Sequence, residues 1–264
     1  LAWSRGLGDV YKRQAKTRRL IMEILVLQHI KIEDPGYIKD LMIKDGVNIR
    51  TIELDEGEKI PNNLNFFDGM LCMGGPMDTW MEKDYPWLID EKNKIKEFVV
   101  ELNKPYLGFC LGCQLLGEVI GGKVVKTNNP EIGMMDINFL DEKKKDILFA
   151  DFPEKITSLQ WHSYEVKELE KNKDVTLIAS SKETKYQIFR YKNSAYGIQF
   201  HIEIKDTTVN DWGCVPEYKA SLENQLGQGA LEKFDKEAKE NMQDMNNYSK
   251  ILYTKFKSDI INKK

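Results

Sequence analysis

Tyr106-Leu107-Gly108-Phe109-Cys110-Leu111-Gly112-Cys113-Gln114-Leu115-Leu116 is the stretch on which the fold turns. Pro105 introduces it, Tyr106–Phe109 is a short apolar run of strand type, and a helix is expected from about Cys113 to Ile120, closed by Gly121-Gly122. A strand running into a helix through Gly-x-Cys-x-Gly predicts a nucleophile elbow. In such a turn the central side chain is lifted clear of the backbone, and the flanking glycines let neighbouring elements come close. The helix aims its positive end at the Cys110 sulfur and favours the thiolate, the reactive form. Taken alone, these residues also fit a plain buried cysteine after a strand.

Upstream of the elbow, short apolar runs alternate with helical stretches: strands Glu23–Gln28, Val47–Leu54 and Phe67–Met73, a helix from Pro35 to about Lys44, and another from Trp87 to about Leu102. Ile89, Ile95, Phe98 and Val99 are expected on the buried face of the latter. This alternation predicts an α/β fold with a mostly parallel sheet. After Gly122 the pattern changes to strands joined by short polar turns: Lys123–Lys126, Met134–Phe139, Lys155–Trp161, Val175–Ser180, Tyr186–Tyr191 and Ala195–Phe200. With no helices for crossovers, these predict an antiparallel or mixed extension of the same sheet. From about Asp206 the chain turns helical and Lys-rich, with Phe234, Met242, Met245, Ile251, Leu252, Phe256 and Ile260 spaced to dock on the body. The expected organisation is therefore a main domain over 22–205 and a helical tail over 206–264 packed on it.

The net charge of -3 divides unevenly: residues 1–21 carry +5 and the remainder -8. An acidic body argues against a nucleic-acid partner, and no apolar run approaches the roughly 18 residues of a membrane span. Met22 directly precedes the first strand. The basic leader before it lacks periodicity and resembles a translated adapter tail, so it is expected to lie outside the fold. The four cysteines, without an apolar signal segment, point to a reducing, cytoplasmic setting.

Two further motifs carry chemistry. Gln199-Phe200-His201-Ile202-Glu203 closes the last expected strand, where residues two apart share a face, so Glu203 can orient His201 as a general base for Cys110. Gly74-Gly75-Pro76-Met77-Asp78 follows a strand, and the N–H of Gly75 together with that of Leu111 can form an oxyanion hole.

In this order, glycine turn, cysteine elbow and His-x-Glu, the chain resembles the class I glutamine amidotransferases, and in particular free-standing proteins similar to the amidotransferase half of GMP synthase. Tyr85-Pro86-Trp87-Leu88, Glu131-Ile132-Gly133 and Trp161-His162-Ser163 add to the likeness, which runs from about Met22 to Glu203. The resemblance implies a flavodoxin-like open sheet with helices on both faces, a Cys110–His201–Glu203 triad, and a glutamine held by Gln114, His162, Ser163 and Gly74. It implies L-glutamine or a γ-glutamyl compound as substrate and no cofactor. Since no phosphate-binding Gly-x-x-x-x-Gly-Lys-[Ser/Thr] loop is present, either a separate synthetase subunit receives the ammonia or the chain is a hydrolase acting on glutamine or γ-glutamyl compounds, and the sequence leaves both open. The family usually has proline where this chain has Ile202, at some expense of rigidity.

Several alternatives stand beside this reading. A γ-glutamyl peptide hydrolase would use the same triad. Cys110-Leu111-Gly112-Cys113 also fits a thioredoxin-like redox motif, or a pair whose oxidation silences the enzyme, but neither needs His-x-Glu or a glycine turn. A zinc site would need two more ligands than that pair, with no partner evident for Cys72 or Cys214, so no metal is expected. DJ-1/PfpI-like proteins place histidine directly after the cysteine, where Leu111 stands. A non-catalytic binding module has no reason to keep every one of these residues. Trp80, Trp87 and Trp161 are expected to pack, and His29 to lie in a loop.

Overall fold

Strand β1 (Glu23–Gln28) is apolar at nearly every position and buried on both faces, as a central parallel strand must be. The structure, a computed structural model, describes residues 21–262, so the expected leader lies outside the described residues except for Ile21. Around β1 stand β2 (Asn48–Glu53), β3 (Gly69–Cys72), β4 (Tyr106–Phe109) and, late in the chain, β9 (Ala195–Ile198), all parallel. Strands β5 (Lys123–Phe139), β6 (Lys155–Lys167), β7 (Val175–Ser180) and β8 (Ile188–Tyr191) extend the sheet in antiparallel fashion. Among the described residues the nine strands run in the order β2-β1-β3-β4-β9-β8-β7-β5-β6.

The alternation of β1 divides the core. Ile24 and Val26 face one layer, which holds α1 (Gly36–Lys44) and the C-terminal helices α4 (Thr208–Gly213), α5 (Pro216–Leu226) and α6 (Ala230–Lys255). Leu25 and Leu27 face the other, which holds α2 (Trp87–Lys96) and α3 (Leu111–Val119). Strand order reverses between β1 and β3, which makes the crevice outside their carboxyl ends the expected ligand position in a doubly wound sheet. In the tail, Phe234, Met242, Met245, Leu252, Phe256 and Ile260 are buried in the same core as β1 and β9, and Ile251 packs against them half-buried. Among the described residues no helix is long and apolar enough to cross a membrane.

Several local expectations need correction. Helix α3 starts at Leu111, directly on Cys110, because the Cys110 φ of 49° turns the chain at once. Lys123–Lys126 and Met134–Phe139 are parts of one strand whose pairing with β6 shifts between Lys126 and Glu131, an irregularity that the polar Asn128-Asn129-Pro130 stretch disguises as a turn. Strand β6 continues past Trp161 to Lys167, so His162 and Ser163 lie within it. Strand β9 stops at Ile198, and His201 makes only a single bridge to Leu159. Ile89 is half exposed, and the buried face of α2 carries Leu88, Glu91 and Ile95, with Phe98 and Val99 following in a π-turn over Glu97–Glu101. A polar residue at a core position is what hid that face.

Candidate active site

Cys110 sits where β4 ends and α3 begins, with φ 49° and ψ -103°, a strained geometry for a residue with a side chain. Its amide donates to Ile198 O at 2.9 Å and its carbonyl accepts from the Gln114 amide at 3.1 Å, so β9 and α3 together clamp the turn. The glycines on either side are demanded by contact. A Cβ on Gly108 would lie 2.4 Å from Gly112 O, and one on Gly112 would lie 2.2 Å from Cys72 O.

His201 and Glu203 follow β9 and are both buried. His201 Nδ1 donates to Glu203 Oε1 at 2.7 Å, which leaves Nε2 for the thiol of Cys110. Burial lowers the proton affinity of the imidazole, but the Glu203 carboxylate and Cys110 outweigh it and hold His201 well above the usual histidine range. Glu203 Oε2 accepts the Ile202 amide at 3.0 Å, and Ile202 O accepts the Ser249 hydroxyl of α6 at 2.6 Å. Ile202 therefore supplies an N–H that a proline at this position would lack. Trp212 of α4 meets the His201 ring edge-on, with centroids 4.6 Å apart.

The glycine turn after β3 faces the elbow. No hydrogen bond within the described residues takes the amide of Gly75 or Leu111, and a Cβ on Gly75 would lie 3.1 Å from Leu111 Cδ2. The two amides thus stand free beside Cys110. A pocket of about 320 Å³ opens over them, with Gly75, Cys110, Leu111, Gln114, His162 and Ser163 on its wall. Gln114 reaches Tyr164 O and Gln199 Oε1, each at 3.3 Å, while His162 donates from Nδ1 to Tyr164 O at 2.9 Å and faces Glu131 with Nε2. Gly74 is not on this wall. Its carbonyl accepts from His29 Nδ1 at 2.8 Å and its α-carbon faces Glu33 and His201. A larger depression of about 1230 Å³ lies at the other end of the sheet, around Glu23, Asn48 and Pro105, and contains none of the candidate residues.

His29, expected in a loop, is fully buried. It bridges Gly74 O and Glu91 Oε1, the latter at 2.9 Å, and stacks on Trp87, so it fastens the glycine turn to α2. Cys72 joins this group, its thiol donating to Glu91 Oε1 at 3.4 Å. His29, Cys72 and Glu91 are thus a buried trio of ligand-type side chains, which corrects the expectation that Cys72 has no partner nearby. The 2.9 Å His29–Glu91 contact already holds a proton, and the arrangement acts as a hydrogen-bonded brace. Cys113 faces the core, where a Cβ on Gly197 would lie 3.0 Å from its sulfur. Trp161 packs among Trp212, Tyr218 and Phe234 and also lines the pocket, whereas Trp80 is about half exposed (48%) and rests against Tyr164. Glu33, Tyr218 and Trp212 carry no sequence motif that marks them as part of the site. The one available signal is for Glu33, whose loop leaves the carboxyl end of β1 at the strand-order reversal.

Comparison with known proteins gives the family. The glutamine amidotransferase class-I family profile matches residues 37–211. The chain belongs to the class I glutamine amidotransferases. It is 33% identical over 177 residues to the glutamine-hydrolysing GMP synthase subunit of Sulfolobus acidocaldarius, covering 65% of this chain and 87% of that one. It is 28% identical over 185 residues to the glutamine amidotransferase-like protein YfeJ of Salmonella typhimurium, covering 69% and 76% of the two chains. Among solved structures, a glutamine amidotransferase from Thermotoga maritima superimposes with a TM-score of 0.78 at 26% identity, over 90% of this chain and 99% of that one. This amidotransferase has the α/β fold of those structures, including a mostly parallel sheet at its centre. Its family segment spans the glycine turn, elbow and His-x-Glu, whereas His29 and Glu33 precede it and Tyr218 follows it.

Proposed function

We propose that this amidotransferase hydrolyses the side-chain amide of glutamine through Cys110, His201 and Glu203. The observation that carries the reading is the convergence, beyond the carboxyl ends of β3, β4 and β9, of the elbow cysteine and two free amides on the wall of one pocket with the buried His201–Glu203 pair, which meets the Cys110 thiol and does not itself line that pocket. The Cys110 thiolate adds to the amide carbon, and the N–H groups of Gly75 and Leu111 hold the negative oxygen. The His201 imidazolium then gives its proton to the departing nitrogen, ammonia leaves, and a γ-glutamyl thioester remains. His201 next takes a proton from water, the hydroxide attacks the thioester, and glutamate is released as the thiolate re-forms. Gln114, His162 and Ser163 hold the amino-acid end.

The relatives named as glutamine-hydrolysing GMP synthase subunits support a separate synthetase that accepts the ammonia. The free cysteines support a reducing, cytoplasmic setting. Met77, Met81 and Tyr164 also line the pocket, apolar surface that bare glutamine does not need, which favours γ-glutamyl peptides as the second candidate substrate. Ammonia release from L-glutamine, and amine release from γ-glutamyl peptides, by the wild-type chain and Cys110→Ala test both readings. Turnover that Cys110→Ala abolishes is expected, and turnover that survives the substitution would overturn the mechanism.

A further inference from the structure

The loop between β1 and α1 carries a second carboxylate to the back of the triad. Glu33 is buried, its Oε1 accepts the hydroxyl of Tyr218 from α5, and its Oε2 lies against the α-carbon of Gly74. A point one bond out from that α-carbon is 2.6 Å from Glu33 Oε2 and 3.2 Å from His201 Cε1, so carboxylate and ring are within about 6 Å of each other. Glu33, like His201 itself, is absent from the pocket wall, whereas Tyr218 is part of it. The loop itself is pinned to the triad: Tyr37 N donates to Glu203 O at 2.6 Å, Trp212 Nε1 donates to Ile32 O at 3.3 Å, and Gly36 passes where a Cβ would strike Glu203 O.

We propose that Glu33 is a positioning residue for His201: a carboxylate held by Tyr218 that, together with Glu203, keeps the ring as an imidazolium opposite the Cys110 thiolate. The proposal rests on the reading of Cys110–His201–Glu203 as the triad. The charged and titratable groups around Glu33 are His201 and Glu203 after β9, Tyr218 on α5 and His29 after β1. Burial raises the Glu33 carboxyl to about 6 against the opposing pull of His201 and Tyr218, so it is ionised at neutral pH. A unit charge about 6 Å away, at an effective dielectric of ~20, changes proton affinity roughly 10- to 100-fold. Tyr218 belongs to the C-terminal helices, outside the matched family segment, so the tail takes part in setting the protonation of the triad.

The chain has three histidines, so ¹⁵N NMR of histidine-labelled protein can follow His201 alone. Full-length Cys110→Ala removes the coupled thiol and is the reference. Adding Glu33→Gln, which keeps an acceptor for Tyr218, is expected to lower the His201 titration midpoint by about one pH unit or more, a tenfold or greater loss of proton affinity. Adding Tyr218→Phe instead should lower it less, and the two changes combined should do no more than Glu33→Gln alone. A His201 midpoint unchanged by Glu33→Gln overturns the proposal, and so does full additivity with Tyr218→Phe. Should Glu33→Gln not fold, an unchanged midpoint in Tyr218→Phe overturns it equally. None of these readings involves glutamine, so a chain that shifts as expected yet releases no ammonia refutes the substrate assignment and leaves the role of Glu33 standing.

Discussion

Replacing Gly112 by alanine should damage the elbow although it removes no functional group. The new Cβ would stand 2.2 Å from Cys72 O, 2.7 Å from Cys72 C and 3.0 Å from Cys72 Cβ, and none of these atoms can rotate away. Cys72 lies in β3, paired on one side with Leu27 and on the other with Gly108, so relief requires α3 and the central sheet to separate by about 1 Å. Overpacking of this kind costs up to about 3 kcal/mol, and the better helix propensity of alanine returns at most about 1, for a net loss of roughly 2 kcal/mol. Gly46→Ala is the control: its φ is +69° with nothing within 4 Å of the new Cβ, so it carries only left-handed strain of about 1–2 kcal/mol. Urea unfolding measures both losses. Iodoacetamide alkylation of Cys110, in a Cys214→Ser background because Cys214 is exposed, measures displacement of the sulfur. Gly112→Ala should alkylate more slowly than its parent, and Gly46→Ala at the parental rate. A Gly112→Ala protein as stable and as reactive as its parent would refute the packing argument.

Glu33 has its carboxyl raised from 4.5 to about 6, so the stability it contributes is complete below 4.5 and is lost as pH rises through about 6. Glu33→Gln should therefore gain on wild type by about 2 kcal/mol between pH 4 and pH 7, and parallel urea-stability curves across that range would contradict the burial argument. Ile202→Pro deletes the amide that Glu203 Oε2 accepts together with a buried side chain, and is expected to cost about 2 kcal/mol and to lower turnover. An unimpaired proline variant would show that this amide contributes little. Cys113→Ala should leave the response of Cys110 to peroxide unchanged, because Cys113 faces Gly197 in the core. A disulfide-linked peptide carrying both cysteines, found by mass spectrometry after peroxide, would contradict this.

The elements legible in the sequence were those whose signals are local. The apolar run of β1, the glycines flanking Cys110 and the strand before Gly74-Gly75 each encode their structure within a few residues, and each lies where it was expected. Boundaries were less legible where a side chain served a distant partner. Glu91 reads as a solvent residue yet is buried, where His29, 62 residues earlier, meets it from the loop after β1. The bulge in β5 reads as a turn because its polar residues conceal continued pairing with β6.

By itself the sequence determined the local elements of the candidate site: a strand–cysteine–helix elbow, a histidine and a glutamate two residues apart, and a glycine turn, all short-range patterns with a required local geometry. Only the tertiary structure decided which ends of the strands meet. Tyr218 approaches Glu33 across 185 residues of sequence and Ser249 approaches Ile202 across 47, through helices whose own patterns specify only that one face is buried. The physical reason is that backbone geometry follows from neighbours in the chain, whereas the protonation of a buried group follows from every charge around it. Those charges are assembled only when the sheet order brings β1, β3, β4 and β9 side by side and the tail packs over them.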